Sequence, residues 1–182
     1  MDDADLTPAA REIQRRWRAR EAPDGDFIVF ADGSLHVMDL VRLVPHDQTD
    51  NPRAYEWHWY ERLRATEWTA NYWVDLGMMA THTHAGSRAW GGESIAHGSI
   101  GWVALGTDER APGEPESPHA ALSPPGTVEW LAICDDSNPF VAVTLDDTTL
   151  TATSSLGRVW TFPRDEPQQV TITEDPDYPW RQ

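Results

Sequence analysis

The stretch Val128–Pro163, VEWLAICDDSNPFVAVTLDDTTLTATSSLGRVWTFP, decides the fold class. Val128–Cys134 is apolar on both faces after Glu129, the pattern of a central strand. Phe140–Leu145 follows. Then Leu150, Ala152 and Ser154 alternate with Thr149, Thr151 and Thr153, a period of two that puts β-branched threonines on the wetter face. Asp146-Asp147 supplies one tight turn and Ser155-Leu156-Gly157 the next, with Gly157 free to take a positive φ. Val159 and Thr161 alternate with Trp160 and Phe162 until Pro163 ends the ladder. The whole stretch reads as an antiparallel meander.

Working outward, Thr7 and Pro8 form a helix start, and the run through Arg20 keeps Ala10, Ile13 and Trp17 on one stripe. Five arginines against Glu12 predict a helix that packs on an acidic body through ion pairs. Phe27–Phe30 and Leu35–Val44, joined by Ala31-Asp32-Gly33-Ser34, predict a hairpin. A second hairpin is expected from Tyr55–Arg64 and Trp68–Leu76, then an irregular glycine-punctuated stretch over Gly77–Gly98 and a strand over Ile100–Leu105. Trp102-Val103-Ala104-Leu105 echoes Trp130-Leu131-Ala132-Ile133, as two equivalent central strands would. Val170–Thr173 gives a last short strand. The reading is one domain over 1–182, mainly β with one N-terminal helix (α+β): an antiparallel meander, sandwich or strongly curved sheet. Residues 1–6 and 175–182 are expected to be flexible tails, and 108–125, rich in proline and glutamate, a mobile acidic loop.

Charge is the strongest global signal. Thirty Asp and Glu stand against 14 basic residues, a net of −16, and every basic residue is arginine. Such a surface repels a phosphate backbone, so direct nucleic-acid binding is not expected, and it steers a basic protein partner toward it. No apolar run reaches the ~18 residues of a membrane span. With no apolar segment near Met1 either, a cytoplasmic location is expected. The single cysteine, Cys134, sits in an apolar strand and reads as a small buried hydrophobe.

Two sets of residues have chemical potential. His82 and His84, at i and i+2 on a strand, point the same way. With Glu93 and His97 they make a candidate divalent-metal set with an open position. The order Gly77, His82, His84, Glu93 resembles the first motif of cupin barrels, with the glycine and glutamate displaced and the second motif absent. The other set is acidic: Asp135 and Asp136, which also suit a turn before the next strand, joined with Glu114 and Glu116 of the proline-rich loop as a contact surface. Trp73 falls on the polar face of its strand with Asp75, where an aromatic serves as a binding anchor. No nucleophile elbow or phosphate-cradling glycine loop is present, and no catalytic residue or cofactor is assigned.

Ser137-Asn138-Pro139-Phe140, Ala152-Thr153-Ser154 and the run Gly157–Pro163 together resemble small acidic proteins encoded beside bacterial toxins; the resemblance covers the last third of the chain. It implies an immunity protein that binds and neutralises a cognate basic toxin without catalytic residues. The readings carried forward are therefore a non-enzymatic acidic binding protein, a cupin-like metal-dependent enzyme using the histidine cluster, and a structural subunit of an assembly.

Overall fold

The computed structural model describes residues 5–43, 56–66, 70, 72–107 and 126–174. Residues 1–4 of the expected tail 1–6, the expected tail 175–182 and the acidic loop 108–125 lie outside these. One helix, α1 (Pro8–Arg18), precedes twelve strands: β1 (Glu21–Pro23), β2 (Phe27–Phe30), β3 (Leu35–Leu43), β4 (Glu56–Ala65), β5 (Trp73–His84), β6 (Ser87–Ser94), β7 (Gly101–Thr107), β8 (Val128–Cys134), β9 (Phe140–Leu145), β10 (Thr149–Ser154), β11 (Arg158–Pro163) and β12 (Thr171–Glu174). They form a single antiparallel sheet in the order β1-β5-β6-β7-β8-β2-β3-β4-β12-β11-β10-β9. The sheet curls until β9, at one edge, lies alongside β5 and β6.

The curl explains the two apolar clusters. Its inside buries Ile28, Val103, Leu105, Trp130, Ala132, Phe140, Val143, Leu150, Trp160 and Phe162, contributed by both halves of the sheet. Trp160 sits edge-on to Trp59 and Phe140, each with ring centroids 5.5 Å away. The outside of β1, β5, β6, β7 and β8 is buried as well, because α1 lies on it. Trp17 meets Trp90 and Trp102 edge-on at 5.0 and 6.0 Å, above Leu76, Ala104, Leu131 and Ile133. Strands buried on both faces must read as continuous apolar runs, which is why WVAL and WLAI do not alternate.

Those two tetrads are neighbours. Trp102 pairs with Ile133 and Leu105 with Trp130, antiparallel, so Trp102 faces the helix while Trp130 faces the interior. The equivalence expected from the echo holds for position in the sheet and is reversed for face.

The helix forms where its cap predicts it. The Thr7 hydroxyl accepts from Ala10 N–H at 3.2 Å, Pro8 occupies the first position, and the buried stripe is Ala10, Ile13, Gln14 and Trp17. Gln14 fixes the docking. Its amide donates to the Val128 carbonyl at 2.8 Å and its carbonyl accepts from Val128 N–H at 3.0 Å. The arginines pair locally: Arg15 and Arg16 with Glu12 at 2.6 and 2.9 Å, and Arg16 with Glu21 on β1. Together they hold the Glu12 carboxyl down at about 2, with the Arg15 hydrogen bond the largest contributor.

Three pairings differ from expectation. β4 and β5 do not form a hairpin; β4 pairs with β3 and, at Trp57–Ile172, with β12, whereas β5 pairs with β1 and β6. Gly77–Gly98 carries two strands where an irregular stretch is expected, since β5 runs on to His84 and β6 occupies Ser87–Ser94. The glycines there are demanded by close approach: a Cβ on Gly92 would lie 1.8 Å from the Gly77 carbonyl oxygen, and one on Gly91 2.7 Å from Val143 Cγ1. Finally, β8 does not join the meander. It lies between β7 and β2 in mid-sheet, and the meander proper is β9-β10-β11-β12.

Candidate functional site

One end of the covered half of the sheet collects carboxylates. The register runs Gly77, Glu93, Gly101, Cys134 across β5, β6, β7 and β8. Residues just past these positions therefore share an end: Asp75, which accepts from Ile95 N–H at 2.9 Å through its carbonyl, and Asp135. The link before β2, Asp24-Gly25-Asp26, reaches the same place. Asp26 Oδ1 accepts from Asp135 N–H at 2.8 Å, and Asp24 N–H donates to the Tyr72 carbonyl at 3.2 Å.

Among the described residues Asp24, Asp26, Asp135 and Asp136 make no salt bridge. Asp135 is half-buried, and its Oδ1 has no hydrogen-bond partner among the described residues. Burial, reinforced by Asp26, Asp24 and Asp136, pushes its carboxyl up to about 6, with His97 opposing. Asp136 is exposed, and its backbone carbonyl faces the Arg158 guanidinium at 3.4 Å. Next to this acidic end two large apolar side chains are exposed, Tyr72 at 76% and Ile95 at 63%.

The expected contact residues are distributed as follows. Asp135 and Asp136 lie at the heart of this end, and Asp75 is exposed beside it. Trp73 is half-buried instead of presented: the Arg16 guanidinium lies over its ring at 3.7 Å, so α1 covers it. Its exposed neighbour is Tyr72, which alternation assigns to the apolar face with Val74 and Leu76. Glu114 and Glu116 fall outside the described residues. Asp24, Asp26 and His97 are the members that sequence reasoning missed, because only the β2–β8 pairing carries the 24–26 link to Asp135.

The histidine set comes apart. Glu93 pairs with Gly77, whereas His82 pairs with Ala89 and His84 with Ser87. His82 is five residues from Gly77 along β5, roughly 17 Å for an extended strand. His97 lies in the β6–β7 link, where its charge favours the ionised form of Asp135. His82 and His84 have protein partners of their own: Leu145 N–H donates to His82 Nδ1 at 2.9 Å, and His84 Nε2 lies 2.8 Å from Asp147 Oδ1. Among the described residues no group of three metal-type side chains forms, and His82, His84, Glu93 and His97 are not brought together. Cys134, buried beside Asp26, has its thiol pushed up, chiefly by burial.

Comparison with protein-family models, with curated proteins and with solved structures finds no match for this chain.

Proposed function

We propose that the chain is a non-enzymatic binding protein whose acidic sheet end receives a basic protein partner, in the manner of an immunity protein that blocks a basic toxin. The observation that carries this reading is the set Asp24, Asp26, Asp135 and Asp136, gathered at one end without a salt bridge among the described residues, where burial first and the neighbouring carboxylates next raise Asp135 to about 6. An arginine or lysine from a partner relieves the repulsion among these carboxylates, reaching exposed Asp24 and Asp136 directly. Exposed Tyr72 and Ile95 add apolar area at the margin. The net charge of −16 over the whole chain steers encounter.

The test is capture of partners from a native lysate of the source cells, at low and high salt, by the wild-type chain and by a variant carrying Asp24→Asn, Asp26→Asn, Asp135→Asn and Asp136→Asn. A stoichiometric basic protein, lost or at least tenfold weaker with the variant, supports the reading. Equal retention by both chains, or no stoichiometric partner at either salt, overturns it.

A further inference from the structure

Every other neighbouring pair of strands in the sheet is joined by a backbone ladder, but β5 and β9 are not. β1 covers only Trp73–Asp75 of β5, and β9 pairs only with β10. The remaining length of β5 lies alongside β9 with no ladder between them among the described residues. What joins the two edges is a set of bonds that each use a side chain. Leu145 N–H, pointing away from β10, donates to His82 Nδ1 at 2.9 Å. His84 Nε2 meets Asp147 Oδ1 at 2.8 Å. Arg164 donates through Nη2 to Ser87 Oγ at 2.7 Å and through Nη1 to the Asp146 carbonyl at 3.1 Å. Asp146 in turn holds its turn together by accepting from Thr148 and Thr149 N–H, each at 2.8 Å.

We infer that this seam is a gate, closed by His82 acting as a latch on the β9 edge, which opens without unfolding the rest of the sheet. The direction of the hydrogen bond fixes the chemistry. A backbone N–H is only a donor, so His82 Nδ1 must present its lone pair and the ring proton must sit on Nε2. His82 is exposed, so water competes for its ring nitrogen, whereas ladders such as β7–β8 are shielded on both faces. Packing across the seam rests on Gly91, whose missing side chain leaves room for Val143. When the seam parts, the interior side chains next to it are Val143 and Leu145. The gate thus gives access to the apolar inside of the curl at the end of the β5–β6 hairpin, distant from the acidic end.

Native-state hydrogen exchange on the whole chain, read residue by residue at one fixed pH, tests this. In the wild type the Leu145 amide is expected to exchange at least tenfold faster than Val103 and Leu131, through an opening with little denaturant dependence. His82→Ala accelerates Leu145 a further tenfold or more and leaves Val103 and Leu131 within about twofold. His82→Asn, which places an oxygen near the position of Nδ1, restores Leu145 to within about threefold of wild type. If Leu145 is as protected as the central strands and indifferent to His82→Ala, or if all three amides accelerate together, the gate is overturned. Should His82→Ala not fold, Ser87→Ala removes the Arg164 acceptor and is read the same way: acceleration confined to β9 and its turn supports the gate, and none overturns it.

Discussion

The β5-β6-β7-β8 half of the sheet and the β12-β11-β10-β9 half use the same antiparallel pairing and differ in how many faces they bury. In the first, α1 covers the outer face, so Trp90, Trp102 and Leu131 are as buried as Ala89, Val103 and Trp130 on the inner one. In the second, the outer face carries Thr144, Thr149, Thr151, Thr153, Thr161, Thr171 and Thr173, all exposed or half-buried, while Leu150, Ala152, Trp160, Phe162 and Ile172 face inward. The contrast shows what strand alternation measures. It reports whether a second layer is present, and says nothing about where a strand sits in the order.

The largest expected effect comes from the outer face of the covered half. Trp102→Ala should cost about 3–5 kcal/mol in urea unfolding. It removes a buried ring packed on Trp17 and an indole N–H that donates to the Gly77 and Glu93 carbonyls at 2.9 and 3.1 Å. A loss under about 1 kcal/mol would mean that the outer face is not a true second core.

Gln14→Ala comes next, at about 2 kcal/mol, because it leaves both the N–H and the carbonyl of Val128 buried and unpartnered. The same unfolding measurement reads it. A neutral result would show that α1 is held by Ile13 and Trp17 alone.

Asp135 gives a smaller effect of opposite sign. Its folded carboxyl titrates at about 6, above the ordinary ~3.9 of an unfolded aspartate. The folded state therefore holds the proton more tightly. The favourable contribution is complete below about pH 4, is lost as pH rises through 6, and stays lost above it. Asp135→Asn should accordingly raise stability at pH 7 by about 1 kcal/mol after allowance for solvent screening, and flatten the stability profile between about pH 4 and 6. An unchanged profile would mean that neither burial nor the neighbouring carboxylates perturb Asp135.

The smallest effect belongs to the open face. Thr151→Ala is expected to stay within about 0.5 kcal/mol of wild type. A loss approaching that of Trp102→Ala would erase the distinction between the halves and point to a second layer over the threonines.

Much of this was legible in the sequence, for physical reasons. Period-two alternation is enforced wherever one face is wet, so β9, β10 and β11 and their turns follow from the residues, and Gly157 has a φ of 76°. The helix start follows from Thr7 and Pro8 because capping is local. What was not legible depends on distant partners. Gly91 and Gly92 look like chain breakers, and their need arises from Val143 and the Gly77 carbonyl. Asp135 and Asp136 were found as an acidic pair, but Asp24 and Asp26 join them only through the pairing of Phe27 with Ile133. Trp73 looked presented because nothing local reveals that Arg16 stacks on it.

The Gln14–Val128 clasp also sets a timetable. Its partners are 114 residues apart, and β2, which pairs with β8, is nearly as far from it in the chain. On a ribosome adding ~5–20 residues per second, the helix and the β2–β3 hairpin wait roughly 6–23 s before the strand that completes them exists. Through that interval Ile28 and Val29 lack the strand they pair with, and Ile13 and Trp17 lack Leu131 and Ile133 in their cluster. The nascent chain is most open to misassociation early, long before the meander that is easiest to read in its sequence has been made.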